Sequence, residues 1–159
     1  MTCLQKYQDQ LIFYLLFLFF SEYEIPVFAC QLAQDSDLHK KKLTGEKFLE
    51  VKLDGVRVIT VIYPNGKVDL FSRNGKELNN FNHIKEELSI NIKRKSIDYA
   101  TVIDGEVVSK NFQELMKQIH RKKTVQNHDA SLFLFDILPF ENFKSGIYEE
   151  TYKTRTKNL

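Results

Sequence analysis

Three strand-like segments of this chain carry charged side chains among branched and aromatic ones. They are LEVKLDGVRVI (49–59), ATVIDGEVVS (100–109) and SLFLFDILPF (131–140). A charge buried in a strand is costly unless it is paired or hydrogen-bonded. One such strand would be equally consistent with a structural salt bridge. Three of them indicate one shared polar cleft, because ionisable groups in unusual environments gather at functional sites.

The spacing of the charges predicts which of them share a face. Lys52 and Asp54 are two residues apart, as are Asp104 and Glu106, so each pair is expected to point to one side of its strand. A cleft that combines a lysine, carboxylates and an aromatic platform suits a nucleotide, because cations bind phosphates and carboxylates bind ribose or a metal ion.

The third segment contributes aromatic side chains. Phe133 and Phe135 are two residues apart and are expected to form a same-face pair, with Asp136 pointing the other way. Either ring is a candidate for stacking on a base. The alternative interpretation is that both are core phenylalanines of a buried strand.

Local signals predict the remaining elements. Strands at 56–63 and 67–73 are separated by Pro64-Asn65-Gly66, which is typical of a hairpin turn. Apolar spacing and capping residues predict helices at about 35–42, 82–95, 111–123 and 148–159. The fold class expected from this pattern is α+β, with antiparallel strands and helices packed against them.

The first 25 residues differ in character from residues 26–159, so the chain is divided there into an unassigned apolar segment and one domain. LIFYLLFLFF (11–20) is ten uncharged residues, shorter than the ~20 that span a bilayer, and no membrane partner is expected. The net charge of +2 neither demands nor excludes nucleic acid. Cys3 and Cys30 suggest no disulfide framework, which favours a reducing, cytoplasmic setting.

Four motifs now occur in an order that resembles a known family. EVKLDGVR (50–57) resembles the KxDGxR motif of covalent nucleotidyltransferases: ATP-dependent DNA ligases, RNA ligases and mRNA capping enzymes. SRNGKE (72–77), VIDGEVV (102–108) and LFLFDILPF (132–140) are similar to the motifs that follow in DNA ligases, and YKTRTKNL (152–159) to their arginine helix. The resemblance, strongest to phage DNA ligases, implies a partial, ATP-grasp-like ligase adenylation domain with antiparallel sheets, flanking helices and no OB-fold domain.

The resemblance implies a reaction for Lys52. Its amine would attack the α-phosphorus of ATP, with Mg²⁺ present, to form lysyl-AMP and release pyrophosphate. The AMP would pass to the 5′-phosphate of nicked duplex DNA, and the 3′-hydroxyl would then seal the nick. Family members carry further motifs and an OB-fold domain after the position of Leu159, so these 159 residues are expected to have weak activity of their own.

The resemblance also implies roles for residues that bind the nucleotide. Glu50 would contact adenine, and Arg57 would contact AMP or the 5′-phosphate. Arg73 would bind ribose or the DNA 5′-phosphate, and Glu106 would bind the ribose hydroxyls and help to hold metal. Phe135 would stack on adenine, with Phe133 as the alternative.

Supporting roles fall to neighbouring residues. Asp54 would shape the loop around the nucleophile, Gly55 would let the backbone approach the nucleotide, and Asp104 would support the glutamate on its strand. Arg155 matches a helix arginine near the AMP. Simpler interpretations stay open: Arg57 could form an ion pair with Asp54, and Arg73 could be a surface residue at a hairpin end.

Two other functions remain possible at this level. The chain could be a non-catalytic remnant that binds nucleotide or DNA, or it could be an RNA ligase or a capping-type enzyme, in which case GTP could replace ATP. The SRNGKE and FDIL stretches favour a DNA ligase.

Overall fold

A computed structural model describes residues 47–93, 97–120 and 125–159, together with Cys30 and Gly45. The helix predicted at 35–42 and the apolar run at 11–20 lie outside these residues. Within the described ranges, no helix is long and apolar enough to cross a membrane.

The part of the chain that the structure describes contains four strands and four helices. In chain order they are β1 (Val56–Ile62), β2 (Val68–Ser72), α1 (Asn82–Lys93), β3 (Thr101–Val108), α2 (Phe112–His120), β4 (Ser131–Pro139), α3 (Phe140–Ser145) and α4 (Tyr152–Arg155), followed by a 3₁₀ turn at Thr156–Asn158.

The strands form one antiparallel sheet in the order β2-β1-β3-β4. The predicted α+β class with antiparallel pairing is therefore confirmed. The hairpin between β1 and β2 is confirmed too: Tyr63 donates its N–H to the Lys67 carbonyl at 2.9 Å, and Gly66 donates to the Tyr63 carbonyl at 2.8 Å.

Each face of the sheet is covered differently. The first face, which carries Val58, Ile62, Ile103 and Val107, packs against α1, α2 and the segments that precede them. The buried residues contributed by those elements are Leu78, Phe81, Ile84, Leu115 and Ile119. Because most of the buried apolar side chains lie on this face, it supplies most of the hydrophobic stabilisation of the sheet.

The second face is divided along the strand direction. Its apolar half consists of Ile59, Val61, Ala100 and Val102, and it packs against Phe140 and Phe143 of α3. Its other half carries the charged residues of β1, β3 and β4. Arg57 lies opposite Glu106 across the β1–β3 ladder, and Asp104 lies opposite Asp136 across the β3–β4 ladder.

A β-bulge in β4 decides which of its residues reach this second face. Asp104 pairs with Asp136, but the next residue, Gly105, pairs with Leu134, so Phe135 is the extra residue. The prediction that Asp136 points away from Phe133 is therefore wrong, because the bulge resets the alternation by one residue. A Cβ on Gly105 would lie 2.4 Å from the Phe133 carbonyl oxygen, so this close approach needs glycine.

The first strand begins where it was predicted, but the strand-like segment at 49–59 is not one continuous strand. β1 begins at Val56, and residues 47–54 form no regular secondary structure. The expectation that Lys52 and Asp54 share one side of a strand is therefore wrong. Its physical reason is the length of the neighbour: Val56 pairs with Val107 and β3 ends at Val108, so β3 has no further residues to pair with this segment.

The end of the chain also differs from prediction. The strand expected at 131–140 ends at Pro139, and a short helix that was not predicted follows it. The helix expected at 148–159 begins only at Tyr152, because the Thr151 side chain accepts a hydrogen bond from the Thr154 N–H and caps it. β4 was expected to be buried, yet Phe133 is 47% exposed because β4 is the outer strand of the sheet.

The fold predicts a stabilising substitution at Thr60. This residue is fully buried in the middle of β1, and its hydroxyl has no hydrogen-bond partner among the described residues. Thr60→Val replaces the hydroxyl with a methyl of similar size, so we expect the free energy of unfolding to rise by about 1 kcal/mol. Thr60→Ser keeps the hydroxyl and loses the methyl, so it should lower that free energy. Urea unfolding followed by circular dichroism measures both, and a less stable valine variant would contradict the prediction.

Candidate functional site

The polar half of the second face brings together charges from three strands. One row across the sheet contains Arg57, Glu106 and Phe133, and the next row contains Asp104 and Asp136. These residues are separated by up to 79 positions in sequence, yet they share one face because the strands are adjacent.

Arg57 and Asp104 form a two-bonded ion pair. The Arg57 Nε lies 2.9 Å from Asp104 Oδ1, and Nη2 lies 2.5 Å from Oδ2. The side chains are 26% and 16% exposed, so the pair is only partly screened by water. Hydrogen bonding to Asp104 is the largest influence on the Arg57 pKa and raises it above its usual value. The carboxylate partner is thus on β3, whereas the alternative partner Asp54 is exposed.

Glu106 holds the start of β1. Its Oε1 accepts a hydrogen bond of 2.8 Å from the Gly55 N–H. A Cβ on Gly55 would lie 2.3 Å from the Val107 carbonyl oxygen and 2.9 Å from the Glu106 Cγ, so no other residue fits here without a backbone shift. The glycine of the DG pair therefore allows the segment containing Lys52 to approach the polar face.

Lys52 itself is exposed, three residues before that contact. It forms no hydrogen bond or ion pair with the residues that the structure describes. Its amine is therefore accessible to a bound molecule.

A second ion pair joins β4 to α4. Arg155 donates from Nε and Nη2 to the two carboxylate oxygens of Asp136, each at 2.7 Å. The hydrogen bond to Asp136 is also the main reason why the pKa of Arg155 is raised. The rings of Tyr148 and Tyr152 each lie with their centroids 5.9 Å from the guanidinium carbon. Asp136 and Arg155, which were both noted in the sequence, therefore form an ion pair.

Tyr152 and Phe48 were not identified from the sequence. The Tyr152 hydroxyl donates to the Glu50 carboxylate, and the Tyr152 ring meets the edge of the Phe48 ring at a centroid distance of 5.3 Å. The sequence signal that could have identified Tyr152 is its i,i+3 spacing from Arg155, because residues at this spacing are neighbours on the surface of a helix.

The two aromatic candidates occupy different environments. Phe133 lies opposite Glu106 and is 47% exposed. Phe135 is half-buried and sits in the bulge, where two consecutive β4 residues oppose one residue of β3. Phe133 therefore lies in the same row as Glu106, whereas Phe135 has no regular partner on β3.

Arg73 and Cys30 lie at the β2 side of the site. Arg73 is exposed in the turn that follows Ser72, and Ser72 pairs with Val58 next to Arg57. Burial raises the pKa of the Cys30 thiol. The Arg57 and Arg73 charges oppose that rise, and the Asp104 charge adds to it. This half-buried thiol therefore borders the same charged residues.

A metal ion at this site would depend on a small ligand set. The described residues contain no group of three or more histidine, cysteine or carboxylate side chains that could hold a metal. Mg²⁺ commonly takes only one or two protein carboxylates and completes its shell with phosphate oxygens and water. Glu106 is the carboxylate of the site that is engaged by a backbone N–H rather than by a cation, so its residual acceptor capacity fits such a role.

Comparisons with known proteins show which family this chain is similar to. The family described as ATP dependent DNA ligase domain matches residues 27–159. The DNA ligases of Variola virus and of Vaccinia virus (strain Western Reserve) are each 33% identical over 110 residues, which is 65% of this chain and 19% of each viral protein. The chain therefore spans about a fifth of the length of these curated relatives. Because they are poxviral, the phage type stays a prediction.

Solved structures give the same result for the fold. A chain titled Pmar-Lig_PreS3 is 50% identical, with a TM-score of 0.78 over 87% of this chain and 32% of that chain. A chain titled Pmar-Lig_Pre. is 50% identical, with a TM-score of 0.77 over 82% of this chain and 30% of that chain.

The site predicts that Gly55 cannot be replaced. We expect Gly55→Ala to lower the free energy of unfolding by about 2–4 kcal/mol, because the new Cβ would be forced against the backbone of β3. Asp54→Ala, at the exposed neighbouring residue, should change it by less than about 0.5 kcal/mol. Thermal unfolding of both variants tests this, and equal effects would contradict it.

The ion pair predicts the effect of removing its cation. Arg57→Gln leaves Asp104 partly buried without its guanidinium partner, so we expect a loss of about 1–3 kcal/mol in the free energy of unfolding. In the double variant with Asp104→Asn, much of that loss should be recovered, because no unpaired charge remains. A double-mutant cycle by urea unfolding measures the coupling, and purely additive losses would refute it.

Proposed function

This chain belongs to the ATP-dependent DNA ligase domain family, and we propose that it forms the part of a ligase that binds ATP and takes AMP onto Lys52. The family is a family of nucleotidyltransferases, and ATP use follows from membership. The assignment to particular residues is the proposal. Its main support is the hydrogen bond from Gly55 to Glu106, because this contact joins the Lys52 segment to the charged face.

The proposed first step is phosphoryl chemistry at Lys52. The unprotonated amine attacks the α-phosphorus of ATP, a nitrogen–phosphorus bond forms, and the bond from that phosphorus to the bridging oxygen breaks. Pyrophosphate leaves with the electron pair, and the proton lost from the nitrogen goes to solvent. The exposure of Lys52 supports this role, because a nucleotide can reach its amine without rearrangement of the core.

Arg57 and Arg73 are proposed to bind phosphate groups. Arg57 is held by Asp104 in a fixed orientation, and an oriented guanidinium is well suited to binding an oxyanion. Arg73 is more exposed, since it sits in the turn after β2. We therefore assign Arg57 to the AMP phosphate and Arg73 to the ribose or to the 5′-phosphate of DNA.

The nucleoside is proposed to lie between the Lys52 segment and β4. Glu50 would accept a hydrogen bond from adenine, and Glu106 would bind the ribose hydroxyls. Phe135 would stack on the base, and the exposed ring of Phe133 is the alternative. Arg155 would stand near AMP from the side of α4.

Asp54, Gly55 and Asp104 are proposed to support these groups rather than to touch the reacting atoms. Glu106 is the residue we propose to hold Mg²⁺, whose chemistry would be to neutralise charge on the phosphates. Nicked duplex DNA is the proposed acceptor of AMP, and the proposed location is the cytoplasm.

Covalent labelling tests the proposal. We expect the chain, incubated with α-³²P-labelled ATP and Mg²⁺, to retain label after denaturation, because lysyl-AMP is covalent. Lys52→Ala should reduce the retained label by at least about 100-fold. Lys144→Ala, at an exposed lysine of α3, should leave it unchanged. Retained label that persists in the Lys52 variant would assign another nucleophile. Absence of label in the parent chain would favour a binding role without covalent chemistry, and preferential labelling by GTP would favour a capping-type enzyme.

A further inference from the structure

The segment that carries Lys52 is attached at both of its ends. After Lys52, the Gly55 N–H is bonded to Glu106. Before Lys52, Glu50 accepts the hydrogen bond from the Tyr152 hydroxyl, and Phe48 meets the same tyrosine ring. Residues 47–54 have no ladder hydrogen bonds of their own, so these contacts largely determine their path within the described structure.

Tyr152 is itself anchored to the sheet. It begins α4, and Arg155, three residues later, is bonded twice to Asp136 of β4. Arg155 also donates to the Glu150 carbonyl oxygen at 2.5 Å, and Thr151 caps the helix. The attachment of the Lys52 segment therefore runs through Tyr152 and Arg155 to the same strand that carries Phe133 and Phe135.

The contact with Glu50 has a chemical consequence. An ionised carboxylate has two oxygens that accept hydrogen bonds and no donor. The Tyr152 hydroxyl occupies Oε1, which orients the group and leaves Oε2 for a second donor. The exocyclic amino group of adenine is such a donor. The carbonyl oxygen at the same position of hypoxanthine is an acceptor, and an oriented carboxylate would repel it.

We propose that Tyr152 is a positioning residue that fixes the Lys52 segment and sets the preference for adenine through Glu50. The adenine part of this inference rests on the proposed function, whereas the attachment of the segment does not. Tyr148 provides a matched control. Its ring lies at the same distance from the Arg155 guanidinium, 5.9 Å, but the described structure gives it no contact with residues 47–54.

The attachment is tested without nucleotide, by limited trypsin digestion. Tyr152→Phe removes only the hydroxyl and keeps the ring against Phe48, so the variant is expected to fold. We expect cleavage after Lys52, relative to cleavage after exposed Lys144, to accelerate about threefold to tenfold. Tyr148→Phe should leave this ratio unchanged. Equal ratios in Tyr152→Phe and the parent chain would overturn the attachment.

Base preference is tested with ATP and inosine triphosphate, each α-labelled, in the covalent assay. We expect the ratio of labelling rates for ATP over inosine triphosphate to fall about fivefold in Tyr152→Phe and to stay at the parent value in Tyr148→Phe. Glu50→Gln should lower the same ratio, and its combination with Tyr152→Phe should lower it no further. An unchanged ratio, or faster ATP labelling in Tyr152→Phe, would overturn the positioning role.

The digestion experiment and the labelling experiment distinguish a failure of this inference from a failure of the proposed function. If the parent chain takes no label from either nucleotide, the proposed function fails, and the digestion ratio still decides whether Tyr152 holds the segment. If the parent chain is labelled at Lys52 but Tyr152→Phe behaves like it in both arms, the proposed function stands and this inference is wrong.

Discussion

The close approach of Gly55 to β3 is the contact on which the candidate site depends. The absence of a side chain lets the backbone come against the Val107 carbonyl, and the Glu106 carboxylate then satisfies the Gly55 N–H. Without this approach, β1 could not begin opposite the end of β3, and the segment that contains Lys52 would lose its hydrogen bond to the charged face. Gly55, which has no proposed chemical role, thus positions the segment that carries the proposed nucleophile, Lys52.

The charged half of the second face is stable because its charges are paired across strands. Arg57 is bonded twice to Asp104 and Arg155 twice to Asp136, so the acids of the second row each face a guanidinium. These pairs lie at a partly exposed edge, next to the apolar half that α3 covers, so their desolvation penalty is smaller than in a closed core. The same bonds fix the orientation of both guanidinium groups.

Local patterns predicted those parts of the fold that local forces decide. The β1–β2 hairpin followed from its turn residues, and α1 and α2 from their apolar spacing; the structure has both helices within its described residues. The prediction of the face on which Asp136 lies was wrong, because strict alternation of side chains assumes an uninterrupted strand. A bulge is a product of pairing with β3, where Gly105 lets the Phe133 carbonyl approach, and no property of β4 alone reveals it.

The amino-acid sequence by itself determined the chemical groups and their family order: a lysine before an aspartate and glycine, a DGE strand, and an FD strand, in a chain whose family match covers residues 27–159. Only the tertiary structure decided their partners. It paired Arg57 with Asp104 rather than the nearer Asp54, and it brought Tyr152 to Glu50 across 102 positions. The physical reason is that strand pairing and ion pairing depend on distance in space, and sequence spacing sets that distance only within a single strand or helical turn.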